Sequence, residues 1–431
     1  MTPITPFAAA SGVILLPSRS FSRYVSMDYL DEICLSVFGK PSLRVEQRSV
    51  ITAVLEDENV IGIIATGAGK SLTFQLPFLL TPGITLIISP LVALIQNQVE
   101  NLPKGIKERV IVLTGDNRQL QRDINNCLDQ HNRCLVYTSP EKLYTFLLQN
   151  VRFGSKVARF VLDEAHCASE WGNTFRASYL KLPELWAALQ CPPIQAMTAT
   201  ASSGTIADLI ALFQTPFTII QHSVYRRNLH ISSFDHQTTN ARDNHFLQLI
   251  RHKVGPTIVY AKSRMYVERT AAWLNKLGIA AIPFHAGLDA SIRKVNQDVF
   301  VSSDADLLIA TIAFGMGIDK SNVRHVIHIE PPETLEDYQQ QVGRAGRDGA
   351  AAWCVMFDTF NKKRLREENL RRQIDQCKRS GENTFGSRLV KRQADMQQFL
   401  LCKHCRHRYL AIYNNELPQF SHCGHCDNCV L

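Results

Sequence analysis

Short apolar runs that stop abruptly at small or polar residues recur along this chain, and stretches of helical spacing separate them. Val60–Ile64, Ile84–Ile88, Val110–Thr114, Arg133–Thr138 and Ala158–Leu162 are uninterrupted enough to be strands buried on both faces, and a further run precedes Met197. Asp28–Val37 carries Tyr29, Ile33 and Val37 at helical spacing and ends at Phe38-Gly39. The alternation predicts a parallel, doubly wound α/β sheet with its functional loops at the carboxyl ends of the strands. From about Pro216 to His245 the periodicity weakens, which reads as a connection. A second alternating series follows, with runs at Thr257–Tyr260, Ala280–Pro283 and Leu307–Ala310. Charged helical patterns then occupy Lys362–Arg372 and Ser387–Leu401.

The 431 residues are too many for one ordinary core and imply two or three domains. No apolar run approaches the length of a membrane span. Lys and Arg number 47 against 39 Asp and Glu, and the net charge of +8 is compatible with a nucleic-acid partner without establishing one. Residues 1–27 hold Arg19, Arg23, several Ser and Ala, and no acid. They read as a disordered leader, a transit peptide, or sequence upstream of a start at Met27. Of 12 cysteines, five fall between Cys402 and Cys429, whereas Cys34, Cys127, Cys134 and Cys191 are scattered like buried thiols of a reducing compartment.

The first apolar run leads into Thr66-Gly67-Ala68-Gly69-Lys70-Ser71 and then a helix. Small residues let backbone N–H groups wrap phosphates, and the helix N-terminus adds positive potential. In such a loop Lys70 reaches the β- and γ-phosphates of ATP and the Ser71 hydroxyl holds Mg²⁺. A strict pattern has Gly at the position of Ile64, and a Gly-rich strand-to-helix turn is the plain alternative. Arg44 and Gln47, just upstream, offer an adenine contact or simply a solvated helix start. Asp163-Glu164, at the end of another predicted strand, suits Mg²⁺ binding by Asp163 and water activation by Glu164, or a helix cap. His166 reads as a relay between lobes or as a packed histidine.

Asp163-Glu164-Ala165-His166, followed by Cys167-Ala168-Ser169-Glu170-Trp171-Gly172-Asn173-Thr174-Phe175-Arg176, resembles the RecQ family of superfamily-two DNA helicases over roughly residues 28–429. The resemblance implies two tandem RecA-like lobes followed by a small helical zinc-binding subdomain. The corresponding divisions are 28–215, 216–360 and 361–431. It implies that Trp171, Phe175 and Arg176 form an aromatic-rich loop coupling DNA contact to hydrolysis, with Ser89 and Lys262 as further DNA contacts. Aromatic and Arg side chains can stack on unpaired bases whatever their sequence. Met197-Thr198-Ala199-Thr200-Ala201 looks like the family's coupling motif. Gln340, Arg344 and Arg347 match its last motif, where an arginine reaches the γ-phosphate on lobe closure; Arg347 is the finger in this reading.

Cys423-x2-Cys426-x2-Cys429 with one upstream cysteine has the spacing of a tetrahedral zinc site. Cys402, His404, His422 and His425 compete for the fourth place, and the family's Cys-Arg pattern selects Cys405. The chain departs from the family at Tyr413-Asn414-Asn415-Glu416, where aromatic-Phe-Gly-Glu is usual. The implied activity is ATP-dependent, 3′-to-5′ DNA unwinding with Mg²⁺ and Zn²⁺, in the nucleus or, if the leader is a transit peptide, in mitochondria. The residues stop shortly after the last thiol, before any winged-helix domain. A DNA-stimulated translocase or annealing factor that unwinds weakly is therefore a second expectation. An RNA helicase and a catalytically idle DNA-binding module are rivals from other classes.

Overall fold

The computed structural model describes residues 26–430, apart from residues 91, 114–116, 169–176, 201–202, 303–305, 313, 315–319 and 381–385. Seven strands form the first sheet: β1 (Val60–Ile63), β2 (Gly83–Ile88), β3 (Val110–Val112), β4 (Arg133–Thr138), β5 (Val157–Asp163), β6 (Ile194–Thr198) and β7 (Thr218–Gln221). Their spatial order is β3-β4-β2-β5-β6-β1-β7, with every pairing parallel. The second sheet holds β8 (Leu229–His236), β9 (Thr257–Tyr260), β10 (Ile282–Phe284), β11 (Leu307–Ala310), β12 (His325–His328) and β13 (Ala352–Thr359). Its order is β10-β11-β9-β12-β13-β8, again all parallel.

The near-continuous aliphatic strands make sense in this setting. Each central strand is covered on both faces, so Ile61 and Ile63 face one core while Val60 and Ile64 face the other. No described helix is long and apolar enough to cross a membrane.

The region from Pro216 to His245 is more than a connection. It supplies β7 at one edge of the first sheet and β8 at one edge of the second, and then the helix Thr239–Arg251. Both strands are edge strands with partly exposed positions. They lack the unbroken apolar run that marks a central strand.

The C-terminal helices share the second lobe's core. Met396, Phe399, Cys405, Leu410 and Cys426 pack in one cluster with Ile258, Phe284 and Met356. Two ties fasten the module to β8: Asp427 Oδ2 accepts from Ser233 N at 2.8 Å, and His407 Nε2 lies 2.9 Å from Leu229 O. Others reach the last strand of the first sheet and the residues just after it. Ser223 Oγ donates to Glu416 at 2.7 Å, and the Gln221 side chain donates to Asn414 O.

The departure at 413–416 has a conformational answer. Asn415 sits at φ +61°, in the left-handed region where glycine is at ease and Asn is the best-tolerated substitute. Asn414 is fully buried and its Nδ2 donates to Leu410 O at 2.7 Å.

Candidate functional site

The phosphate-loop residues leave β1 and enter the helix Leu72–Phe78, while Asp163 ends β5 two strands away. β6 lies between them and ends at Thr198. This sheet order brings the three segments to one carboxyl edge.

Lys70 Nζ donates to Glu164 Oε2 at 2.9 Å. His166 Nδ1 lies 3.4 Å from the same oxygen and 3.1 Å from Thr198 Oγ1. The Thr198 hydroxyl gives its own proton to Thr200 O at 2.8 Å, so in that contact it can only accept. The hydrogen is therefore on His166 Nδ1. A continuous chain, Lys70–Glu164–His166–Thr198–Thr200, links the phosphate loop through the acidic pair to the Thr-Ala-Thr turn.

Glu164 adopts φ +51°, uncommon for a residue with a Cβ, and its N–H donates to Asp163 Oδ1 at 3.0 Å. Gln98 Nε2 donates to the other Asp163 oxygen at 2.6 Å. The environment pushes the two carboxyls in opposite directions. Burial, then the charge of Glu164, raises Asp163 above the ordinary carboxylate range. Burial pushes Glu164 up too, but Lys70, His166 and Arg344 together outweigh it and hold Glu164 below that range. A cation beside Asp163 would relieve the excess negative charge. The pair thus fits Mg²⁺, with Ser71 as the other protein oxygen foreseen for it.

The second lobe reaches into this site. Arg344 is buried, and its charge acts on both Glu164 and Tyr260. Arg347 passes directly over the phosphate loop. Gly67 has φ +81°, and a Cβ there would lie 2.9 Å from Arg347 Cγ. A Cβ on Gly343 would come within 2.7 Å of Thr66 Cβ. Gln340 is half-buried in the helix Leu335–Val342, one turn ahead of Arg344.

Other expected residues fall differently. Gln47 is buried, and its amide serves the protein's own backbone: Oε1 accepts from Arg44 N at 3.0 Å, while Nε2 donates to Ala68 O at 2.9 Å and Gly69 O at 3.2 Å. In this arrangement it braces the phosphate loop. Arg44 is exposed at the start of the helix Val45–Leu55. Lys262 is exposed beyond the end of β9, but Ser89, at the end of β2, is fully buried and offers no surface to DNA. Trp171, Phe175 and Arg176 lie outside the described residues. Sequence reasoning missed Gln98, Arg226 and Asn228, whose partners are distant in sequence.

Cys405, Cys423, Cys426 and Cys429 bring their sulfurs within 4.8 Å of one another, so the upstream thiol of the group is Cys405. Arg406 N donates to Cys426 Sγ and His425 N to Cys423 Sγ, each at 3.4 Å. Burial and neighbouring thiols push Cys423 and Cys426 up. Four converging sulfurs in a half-buried pocket suit a soft divalent cation such as zinc. A second trio, His407, Cys423 and His425, lies beside them with its ligand atoms equally close.

Two family models match the chain: DEAD/DEAH box helicase over residues 44–209 and Helicase conserved C-terminal domain over residues 241–349. The chain is 36% identical over 433 residues to the ATP-dependent DNA helicase RecQ of Haemophilus influenzae, covering 96% of this chain and 66% of that protein. It is 34% identical over 346 residues to a Bacillus subtilis protein named "Probable ATP-dependent DNA helicase RecS", covering 79% and 69%. The chain thus spans about two thirds of the length of these curated relatives. Among solved structures, that of the DUF1998 helicase MrfA bound to DNA superposes with a TM-score of 0.63 at 19% identity, covering 77% of this chain and 48% of that one. At that identity the likeness speaks to the fold alone, two RecA-like lobes. Taken with the motifs the fold brings together at one edge, these matches show that the chain belongs to the RecQ family of superfamily-two ATP-dependent DNA helicases.

Proposed function

We propose that the protein is an ATP-driven motor on DNA that moves 3′ to 5′ along a single strand and separates duplex ahead of it. The observation that carries this reading is the approach of Arg347 to Gly67, beside Lys70 and Glu164. One lobe holds groups suited to phosphate and water, and the other presents a guanidinium at the same place. Lys70 binds the phosphates of ATP, Ser71 and Asp163 hold Mg²⁺, Glu164 takes the proton of the attacking water, and Arg347 meets the charge that develops on the γ-phosphoryl group. Mg²⁺ supplies positive charge that neutralises the phosphate oxygens.

ATP draws the lobes together, and hydrolysis lets them part; each cycle shifts the strand. The chain from Glu164 through His166 to Thr198 and Thr200 offers a route by which strand contact, including contact at Trp171, Phe175 and Arg176, reaches the acidic pair. The test is phosphate release from ATP with no nucleic acid, with single-stranded DNA and with RNA, beside unwinding of duplexes carrying a 3′ or a 5′ tail. DNA should stimulate hydrolysis more than RNA, and the 3′-tailed duplex should open. Stimulation by RNA alone, or opening of 5′-tailed duplex alone, refutes the assignment.

We further propose that Cys405, Cys423, Cys426 and Cys429 hold a structural zinc ion. Cys426 belongs to the second lobe's core, so loss of the ion should be felt there. Cys426→Ser is expected to lower zinc from one ion per chain to none by elemental analysis and to cost about 4 kcal/mol or more in stability, as loss of a structural metal can. Full zinc content in this variant would refute the site.

A further inference from the structure

We propose that Arg226 and Asn228 are positioning residues for the arginine finger, and that residues 222–228 form a strap joining the two halves of the ATP site. The inference rests on the function proposed above and deepens it by naming what sets the finger against the phosphate loop.

The strap begins beside the phosphate loop. His222 N donates to Ile63 O at 3.2 Å, at the end of β1. Four residues on, Arg226 turns its guanidinium to the other lobe. Nη1 donates to Gly343 O at 3.1 Å and Nη2 to Gly346 O at 2.5 Å. Asn228 Nδ2 donates to Gly346 O and to Ala350 O, each at 2.8 Å. Arg344 lies between the two carbonyls that Arg226 holds, and Arg347 directly follows the second.

A planar fork spanning two carbonyls three residues apart fixes both the position and the tilt of a turn, which a single hydrogen bond cannot do. The turn is shaped to receive it. Gly346 has φ +54°, and a Cβ there would lie 2.5 Å from Asn228 Nδ2, so the amide occupies the space a side chain would need.

Elsewhere the strap is tied down firmly. Ser223 is bonded to Glu416 of the thiol-bearing module, and Leu229 N and Ala352 N continue the strap's backbone into the second sheet. Burial lowers the Arg226 pKa, with the charges of Arg347 and Arg44 acting the same way and that of Asp348 opposing them. The strap limits how far, and in what direction, the finger turn can travel.

The test uses the full chain. Arg226→Ala is expected to lower the DNA-stimulated kcat about 100-fold, the scale of a misplacement near 1 Å. The KM for ATP and the thermal midpoint should hold, because the phosphate loop and the core are intact. Arg226→Lys should fall as far, since an ammonium keeps the charge but cannot span two carbonyls. Asn228→Ala, which removes two bonds but leaves the Arg226 fork in place, should lose less, about tenfold. The loss from Arg226→Ala should vanish in an Arg347→Ala background, because a finger that is absent cannot be misplaced.

Full activity in Arg226→Lys, losses that multiply with Arg347→Ala, or activity falling only in step with the thermal midpoint would each overturn the proposal. A wild-type protein with no DNA-stimulated hydrolysis overturns the function instead, so the two failures are distinguishable.

Discussion

Glu164→Gln is expected to lower DNA-stimulated ATP hydrolysis by about 10²–10⁴-fold, the contribution typical of a positioned general base, with ATP binding retained. The substitution keeps the shape of the side chain and its hydrogen-bonding reach to Lys70 and His166. It removes only the charge and the ability to take a proton. Glu164 suits this proposed role because Lys70, His166 and Arg344 outweigh burial and hold its carboxyl below the ordinary range. Its anionic form is therefore the one present at neutral pH. The sign of the pH dependence follows. Loss of activity assignable to Glu164 should therefore appear only as pH falls through its lowered value, below the ordinary carboxylate range, and none of it across neutrality. Lys70→Ala should instead weaken ATP binding as well as turnover, since it removes a phosphate contact and leaves Glu164 with fewer compensating charges. Phosphate release with single-stranded DNA, alongside equilibrium binding of a fluorescent ATP analogue, separates the two variants. Hydrolysis by Glu164→Gln within about threefold of wild type would exclude it as the base, because that difference is under 1 kcal/mol.

Parts of this site were legible in the sequence because local chemistry marks them. A buried strand reads as an aliphatic run, and Lys70 and Asp163 each follow one. Their juxtaposition is a consequence of parallel strand order, so the alternating pattern carried it implicitly. What stayed hidden lacks any local mark. β7 and β8 are edge strands whose partly exposed residues break the apolar run, and the stretch between His222 and Asn228 therefore read as a mere connection. Arg226 donates to carbonyls 117 and 120 residues away, and a backbone carbonyl leaves no trace in the sequence. Gln47 was visible, but its partners Ala68 and Gly69 are backbone too, so the sequence offered an adenine contact or a solvated helix start and gave no sign of this brace. Asn415 looked like a departure from the family until its left-handed backbone showed why Asn can stand for Gly.

Arg347→Ala should cost the most, about 10³–10⁵-fold in kcat, the range set by arginine fingers elsewhere. The side chain runs so close over the phosphate loop that Gly67 has no room for a Cβ. Under the proposed function that proximity would set it where γ-phosphoryl charge develops, and it comes from the opposite lobe. Arg344 is a different case. It is buried, and its charge acts on both Tyr260 and Glu164, so its loss should disturb Glu164 as well as the phosphate. A finger contributes chiefly in the transition state, hence Arg347→Ala should leave KM for ATP nearly unchanged while kcat collapses. Arg347→Lys restores charge without the planar fork and should recover only a small part of the loss. Coupling makes a further demand. If closure of the lobes depends on Arg347 meeting the triphosphate, the variant should also lose the ATP-dependent change in its affinity for single-stranded DNA. That affinity can be measured by fluorescence anisotropy with a non-hydrolysable ATP analogue. Retained hydrolysis within about tenfold of wild type would move the finger to Arg344, because a loss that small lies far under the usual range. Slow hydrolysis with an intact ATP-dependent shift in DNA affinity would separate chemistry from closure and assign closure to the strap and the lobes' remaining contacts.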